Sequence, residues 1–425
     1  LVTLSQEIRA RSGLDDAVGS QYGEQGPYAL GVDYPGDSLT APKAIEVKFT
    51  SSMQFSTTPG NPAVALTLFA PDGTPGALFA DQDWIYKLGS TEPVAPSGTE
   101  SSEISSLVAG DIDNDGMIEL IALLHSPEGL LWHAVLLSLG DDQYGWHREE
   151  SSRDACSTEL ESELLSSAAI LVDQDHDSDL DLFWCWSLAG PGSGCRLAIN
   201  DGSGNFTPAE EKFEIRPASD AAAPAKLAFS DLDNDRDIDL LALLGGELHI
   251  FDNRRNGEFE EIAGQAGVDG IGEPVGAMAV ADLNKDGFSD LVIGGAGGTG
   301  LLPGGRAGFR VFEEIAGEGR GADGLVVLDF DNDGFLDLLL ADSAAGPALY
   351  RNLGGGRWTE QIEPLSGAGL QAGTRPLAAF EADGDGDLDI LVLGPDGELQ
   401  LLSNEGGNTN SCCLLYTSPS PRDQR

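Results

Sequence analysis

The chain has 425 residues, 41% of them hydrophobic, and a formal net charge of −48 from 71 acidic and 23 basic residues. That apolar content supports a large buried core, either one big repeat domain or two ordinary ones, and excludes a disordered chain. The scarcity of Lys and Arg excludes nucleic acid as a partner, because phosphate binding needs basic clusters, and no apolar run is long enough to cross a membrane as a helix.

Glycine is abundant, at 56 residues, while aromatics make up only 7%, a balance that favours tight turns between short strands. In chain order, residues 1–40 read as an N-terminal helix and linker, with residues 4–14 as a short amphipathic helix. The chain starts at Leu1 without a charged and then apolar leader, so any secretion signal is expected to have been removed or to lie upstream. Residues 41–100 read as an irregular β segment with strands at 45–49, 63–68 and 84–87. They are expected to form a blade without an acidic loop; the alternative is a separate segment packed on a ring of six.

From residue 101 to 410 an acidic loop of the form DxDxDGxxD recurs six times, beginning at Asp111, Asp173, Asp231, Asp282, Asp329 and Glu381. Repeats of about fifty to sixty residues indicate a propeller or solenoid. Each loop lies between two apolar runs, and the run after it is often continuously apolar, as expected for a strand covered on both faces. A Gly-containing turn and an aromatic follow in phase: Trp146, Phe206, Phe259, Phe309 and Trp358. A third strand fits between them, and the aromatic opens a fourth, as at 259–262. The fold class is therefore all-β: a β-propeller of four-stranded antiparallel blades, seven in number, six of them with acidic loops.

In such a loop, positions one, three, five and nine offer side-chain oxygens, position seven its carbonyl, and a glycine at six permits the sharp turn. Loop one offers Asp111, Asp113, Asp115 and Glu119 with the Met117 carbonyl; loop two offers Asp173, Asp175, Asp177 and Asp181 with that of Asp179. Loop three has Asp231, Asp233, Asp235 and Asp239 with the carbonyl of Asp237; loop four has Asp282, Asn284, Asp286 and Asp290 with that of Phe288. Loop five has Asp329, Asp331, Asp333 and Asp337 with the carbonyl of Phe335; loop six has Glu381, Asp383, Asp385 and Asp389 with that of Asp387. An oxygen-only set of this size suits calcium, and up to six structural Ca2+ ions are expected. Without them the carboxylates of each loop would repel. Ser178 and Arg236 replace the position-six glycine, a cost of ~1 kcal/mol if that residue is left-handed. Loop five, with every preferred residue, is expected to bind best. The acidity outside the loops is read as a solubility feature.

The five cysteines are Cys156, Cys185, Cys195, Cys412 and Cys413, with no CxxC pair and no zinc-type spacing. Cys185 and Cys195 flank a turn at 190–194, which leaves a cross-strand disulfide and two unpaired thiols both open. Residues 411–425 fit no repeat register and resemble translated sequencing-adaptor text, a non-native or disordered tail. The native chain is then expected to be cut within its last blade, whose outer strand must come from the N-terminal segment or be absent.

The stretch Val280-Ala-Asp-Leu-Asn-Lys-Asp-Gly-Phe-Ser-Asp-Leu-Val-Ile-Gly-Gly-Ala296 resembles the FG-GAP repeat of integrin α-subunit propellers. Together with Phe259-Glu-Glu-Ile-Ala-Gly-Gln-Ala-Gly-Val268, the pattern is similar to bacterial VCBS-repeat relatives of cartilage acidic protein, in which an ASPIC/UnbV domain often follows. The likeness covers roughly residues 105–404 and implies a propeller with calcium in strand-connecting loops, outside the cytoplasm, in the periplasm or at the cell surface.

The leading functional expectation is an extracellular or surface-attached scaffold for a protein or glycan ligand, not an enzyme. The alternative is a propeller-type polysaccharide lyase or hydrolase, or an accessory domain of one; a further reading is a purely structural spacer. His125, His133, His147, His176 and His249 are scattered, and no HExxH, GxSxG or GxxxxGK[ST] motif is present. His176, inside loop two, is expected to face solvent, and Trp84, Trp132, Trp146, Trp184, Trp186 and Trp358 to be mostly core.

Overall fold

The computed structural model describes residues 41, 47–55, 65–69, 76–80, 84–88, 90, 92–96, 102–140, 143–146, 157–209, 213–215, 217, 224–254, 258–263, 275–295, 297–306, 308–310, 312–316, 320–321, 324–341, 346–361 and 363–407. The expected helix at 4–14, His147 and the tail at 411–425 lie outside them.

The described strands form seven antiparallel sheets, five of four strands and two with a fifth short strand, arranged as a β-propeller. Blade one, which has no acidic loop, comprises Ala65–Phe69, Gly76–Ala80, Trp84–Lys87 and Pro93–Pro96. Blade two runs Glu103–Gly110, Glu119–His125 and Leu130–Gly140, with Gln143–Trp146 and Thr158–Glu159 both paired to its third strand. Blade three is Leu164–Val172, Asp181–Leu188, Gly194–Asn200 and Phe206–Pro208, with Glu214–Ile215 also on its third strand. Blade four is Lys226–Ser230, Asp239–Leu244, Glu247–Asn253 and Phe259–Glu261. Blade five is Val275–Ala281, Asp290–Gly295, Gly298–Leu302 and Glu313–Ala316. Blade six is Leu325–Leu328, Asp337–Leu340, Ala348–Asn352 and Trp358–Gln361.

Blade seven closes the ring. Arg375–Phe380, Asp389–Leu393 and Leu399–Glu405 supply three strands, and Lys48–Phe55 from the other end of the chain supplies the outer one, running from Lys48 opposite Glu405 to Phe55 opposite Leu399. The strand expected at 45–49 therefore does not belong to the loop-free blade. The edge of Leu399–Glu405 needed a backbone partner, and the N-terminal strand satisfies it. Two of the in-phase aromatics do not open a fourth strand: Trp146 ends Gln143–Trp146, and Phe309 precedes the strand of blade five that begins at Glu313.

The apolar runs after the loops are buried along their whole length because each faces a neighbour on both sides. In blade two, Leu120, Ala122 and Leu124 pack into the core shared with blade one, while Ile121 and Leu123 pack with Leu182, Trp184 and Trp186 of blade three. Blade three repeats the division, sending Phe183 and Cys185 toward Leu240, Ala242 and Leu244 of blade four. The period-two geometry of a strand thus splits one apolar run between two interfaces. Seven such clusters fill the seven junctions, the last joining Ala77 and Phe79 of blade one to Leu391, Leu393 and Leu399 of blade seven. Each fully buried Leu or Phe contributes roughly 1.5–3 kcal/mol.

Cys185 and Cys195 face each other on adjacent strands and form a disulfide. Five of the six tryptophans are wholly or partly buried, Trp132, Trp184 and Trp186 in the core; Trp84, 43% exposed, is the exception.

Candidate functional site

All six acidic loops connect the first and second strands of their blades, so they occupy equivalent positions around the ring. Each loop is shaped by its own carboxylates. In loop one Asp111 accepts the N–H groups of Asp115 at 3.1 Å and Gly116 at 3.0 Å, and Asp115 accepts that of Met117 at 2.7 Å. The same contacts recur in loop three, from Asp235 and Arg236 to Asp231, and in loop five, from Asp333 and Gly334 to Asp329. In loop six the longer Glu381 takes this role, accepting from Gly384 and Gly386.

Two residues per loop are left-handed. Position six is so throughout: Gly116, Gly287, Gly334 and Gly386 at φ 85–92°, but also Ser178 at 77° and Arg236 at 79°. Position four is so as well, at Asn114, His176, Asn234, Lys285, Asn332 and Gly384. Asn tolerates this region better than most residues. Because Ser178 and Arg236 are exposed and carry a Cβ where glycine fits, Ser178→Gly and Arg236→Gly are each expected to raise stability by ~1 kcal/mol, measured by denaturant melts of the calcium-free protein. Equal or lower midpoints would contradict the strain.

The side chains at positions one and three converge in five loops, joined by position five in loops two, five and six, by position nine in loop three and by both in loop one. Asp111, Asp113, Asp115 and Glu119 place one oxygen each within 4.8 Å of the others; so do Asp173, Asp175 and Asp177, then Asp231, Asp233 and Asp239, then Asp329, Asp331 and Asp333, and finally Glu381, Asp383 and Asp385. These clusters could hold metal ions: the donors are hard oxygens, and Asp173 Oδ1 is buried without a hydrogen-bond partner. Loop four, with Asn284 at position three, forms no group of this kind among the described residues; Asn284 Nδ2 instead donates to Asp286 at 3.0 Å. In loop five Arg351 donates Nε to Asp331 at 2.7 Å and Nη2 to Asp333.

Position nine has a different setting. Glu119, Asp181, Asp239, Asp290, Asp337 and Asp389 are all buried. In loops three to six both carboxylate oxygens accept backbone N–H groups, one from position two of the loop and one from the end of the third strand: Leu232 and Asn253 on Asp239, Leu283 and Gly304 on Asp290, Phe330 and Asn352 on Asp337, Ala382 and Asn404 on Asp389. Burial pushes Glu119, Asp239 and Asp290 up to about 7 and Asp181 and Asp389 up to about 6, with neighbouring loop carboxylates adding to the rise.

Two sets of contacts that the loop motif does not announce bind neighbouring blades. At the end of the third strand, Asn200 Nδ2 donates to the Ile112 carbonyl of the preceding blade at 2.8 Å and to Leu180 of its own. Asn253 does the same with Gln174 and Ile238, Asn352 with Leu283 and Leu336, and Asn404 with Phe330 and Leu388. The available signal was an Asn some fifteen residues beyond position nine, before a glycine turn; blade five has Gly304 there, where a Cβ would collide with the Ser289 carbonyl. The second set runs from position four of one loop to the turn of the next. Asn114 donates to Asp179, Asn234 to the Gly287 carbonyl, and Asn332 to Asp387, while Lys285 lies over the Phe335 ring at 4.0 Å. His176 is exposed, as expected, and also places Nε2 2.9 Å from Asp237 Oδ1. The side chains of Asp179, Asp237 and Asp387 at position seven therefore tie blades together. Of the other histidines, His133 is buried between Trp184 and Phe206, where burial pulls it down to about 4, and His249 pairs with Glu261.

Residues 173–242, 231–293 and 329–392 match the family described as FG-GAP-like repeat. The chain is a β-propeller in which three stretches match FG-GAP-like repeats. The three matched stretches span loops two, three, four, five and six with the strands that follow them. No curated protein matches the chain in sequence. Among solved structures it is similar to an Agrocybe aegerita lectin described as recognising non-reducing terminal N-acetylglucosamine, at 13% identity and TM-score 0.49, covering 82% of this chain and 88% of that one. It is also similar to BBS1N, solved in complex with ARL6DN, at 11% identity and TM-score 0.47 over 83% and 96% of the two chains. The AfRom2 CNH domain matches at 9% identity and TM-score 0.47 over 84% and 98%. Likenesses this distant carry nothing about a ligand.

Proposed function

We propose that this chain is a calcium-stabilised extracellular scaffold that binds a protein or glycan ligand and has no catalytic activity of its own. The observation that carries the metal is the convergence of carboxylates at positions one and three with position five or nine on loops already folded by their own hydrogen bonds. Asp111, Asp113, Asp115 and Glu119 would hold one ion in loop one, and the equivalent residues of loops two, three and six would hold the others. Bound calcium supplies positive charge that offsets the mutual repulsion of these groups and locks the loop.

The Cys185–Cys195 disulfide suits an oxidising compartment, and the same compartment supplies free calcium at concentrations that favour loading. No helix among the described residues is long and apolar enough to cross a membrane. Against catalysis stands the repetition itself. Glycoside chemistry needs two carboxyl groups in unlike environments at one cleft, whereas the acidic loops here are alike and spread around a ring.

Two measurements test the reading. Calcium titration followed by calorimetry should show binding that disappears with chelator, and a glycan and matrix-protein array should show ligand capture that depends on calcium. Absence of calcium binding would sink the metal; calcium binding with no captured ligand on either array would sink the scaffold role.

A further inference from the structure

The inference rests on the calcium reading above and concerns the loop whose sequence suits calcium best. Loop five has aspartate at positions one, three, five and nine and glycine at six, yet its carboxylates already hold a cation. Arg351, from the third strand of the same blade, donates Nε to Asp331 and Nη2 to Asp333, and the side chains involved are 3%, 1% and 0% exposed. Lys285 of blade five adds a second positive charge at the rim, over the Phe335 ring.

Arg351 immediately precedes the latch residue Asn352, and other blades fill that position differently. In blade four it is Asp252, which precedes Asn253 and lies close enough to Asp233 and Asp235 for their charges to act on it. In blades three, five and seven it is Ile199, Pro303 and Ser403, none of them cationic. Calcium needs oxygens at 2.3–2.6 Å from its centre, and a buried guanidinium bound to two of the three convergent carboxylates takes those oxygens and repels a second cation.

We infer that loop five carries a built-in counter-ion: the Arg351 guanidinium stands where calcium would stand in loops one, two, three and six. Blade six is then rigid without calcium, while the blades of loops one, two, three and six depend on it.

Native mass spectrometry in calcium would count bound ions in the intact protein and three variants. Asp113→Asn in loop one should lose one ion relative to wild type, Asp331→Asn in loop five should lose none, and Arg351→Ser should gain one. Loss of an ion in Asp331→Asn overturns the inference, because loop five would then be loaded despite the arginine. Should Arg351→Ser fail to fold, the Asp331→Asn count still decides, since that change keeps size and leaves Arg351 in place. A wild type that binds no calcium overturns the reading of the other loops, and loop five is then judged by whether Arg351→Ser acquires an ion.

Discussion

Chelating calcium at about pH 7.5 is expected to lower the melting temperature by ~10 °C or more, and the loss should shrink as the pH falls toward about 5. An ion at a hundred times its dissociation constant stabilises the folded state by about 2.7 kcal/mol per site, so several loaded loops together contribute on the order of 10 kcal/mol. The pH dependence follows from the buried carboxylates. In the metal-free protein burial raises Glu119, Asp239 and Asp290 to about 7 and Asp181 and Asp389 to about 6, whereas unfolded carboxylates titrate near their ordinary values. An acid raised in the folded state binds more protons there than in the unfolded chain. Its favourable contribution is complete below the unfolded value and is lost as the pH rises through 6 to 7. Calcium acts in the opposite sense, because it requires the ionised groups. The gap between loaded and chelated melts should therefore widen from about pH 5 to about pH 7.5. Identical melts with and without chelator at every pH would remove calcium from the account.

The second large effect is expected at the third-strand asparagines. Asn352→Ala should cost roughly 4 kcal/mol in chemical denaturation, more than truncation of an exposed loop aspartate. Its Nδ2 joins the Leu283 carbonyl of blade five to Leu336 of blade six, and its Oδ1 accepts the Gly354 N–H at 2.9 Å. Truncation leaves three backbone groups without these partners, at about 1–3 kcal/mol for each that is buried. Asn352→Asp is nearly the same size but removes both donors and sets a negative charge beside buried Asp337, so it should destabilise more than alanine. If the two variants melt like wild type, the asparagine is not a latch between blades.

Two families of side chains show why the loops were easier to read than the blade contacts. Within a loop every partner is close in sequence: Asp111 meets Asp115 and Gly116, and the alternation of acidic positions records that directly. Asn200 meets Ile112 and His176 meets Asp237 across junctions of 88 and 61 residues, and no local spacing encodes such a pairing. The closing strand sits between these cases. Its need was legible from the interrupted last repeat, but its identity as Lys48–Phe55 depended on which segment reached the open edge of Leu399–Glu405.

By itself the sequence determined the number of acidic loops, the apolar strands that follow and hence a propeller of six or seven blades, because each is a local pattern repeated in register; the structure settled the count at seven and the left-handed sixth position. The tertiary structure decided what each acidic position does. Position nine is buried among backbone donors, position seven in three loops reaches the neighbouring blade, and the best-looking loop of all, at Asp329, is filled by Arg351. Charge in a motif says which ions a loop could attract; only packing brings in a competing cation from another strand.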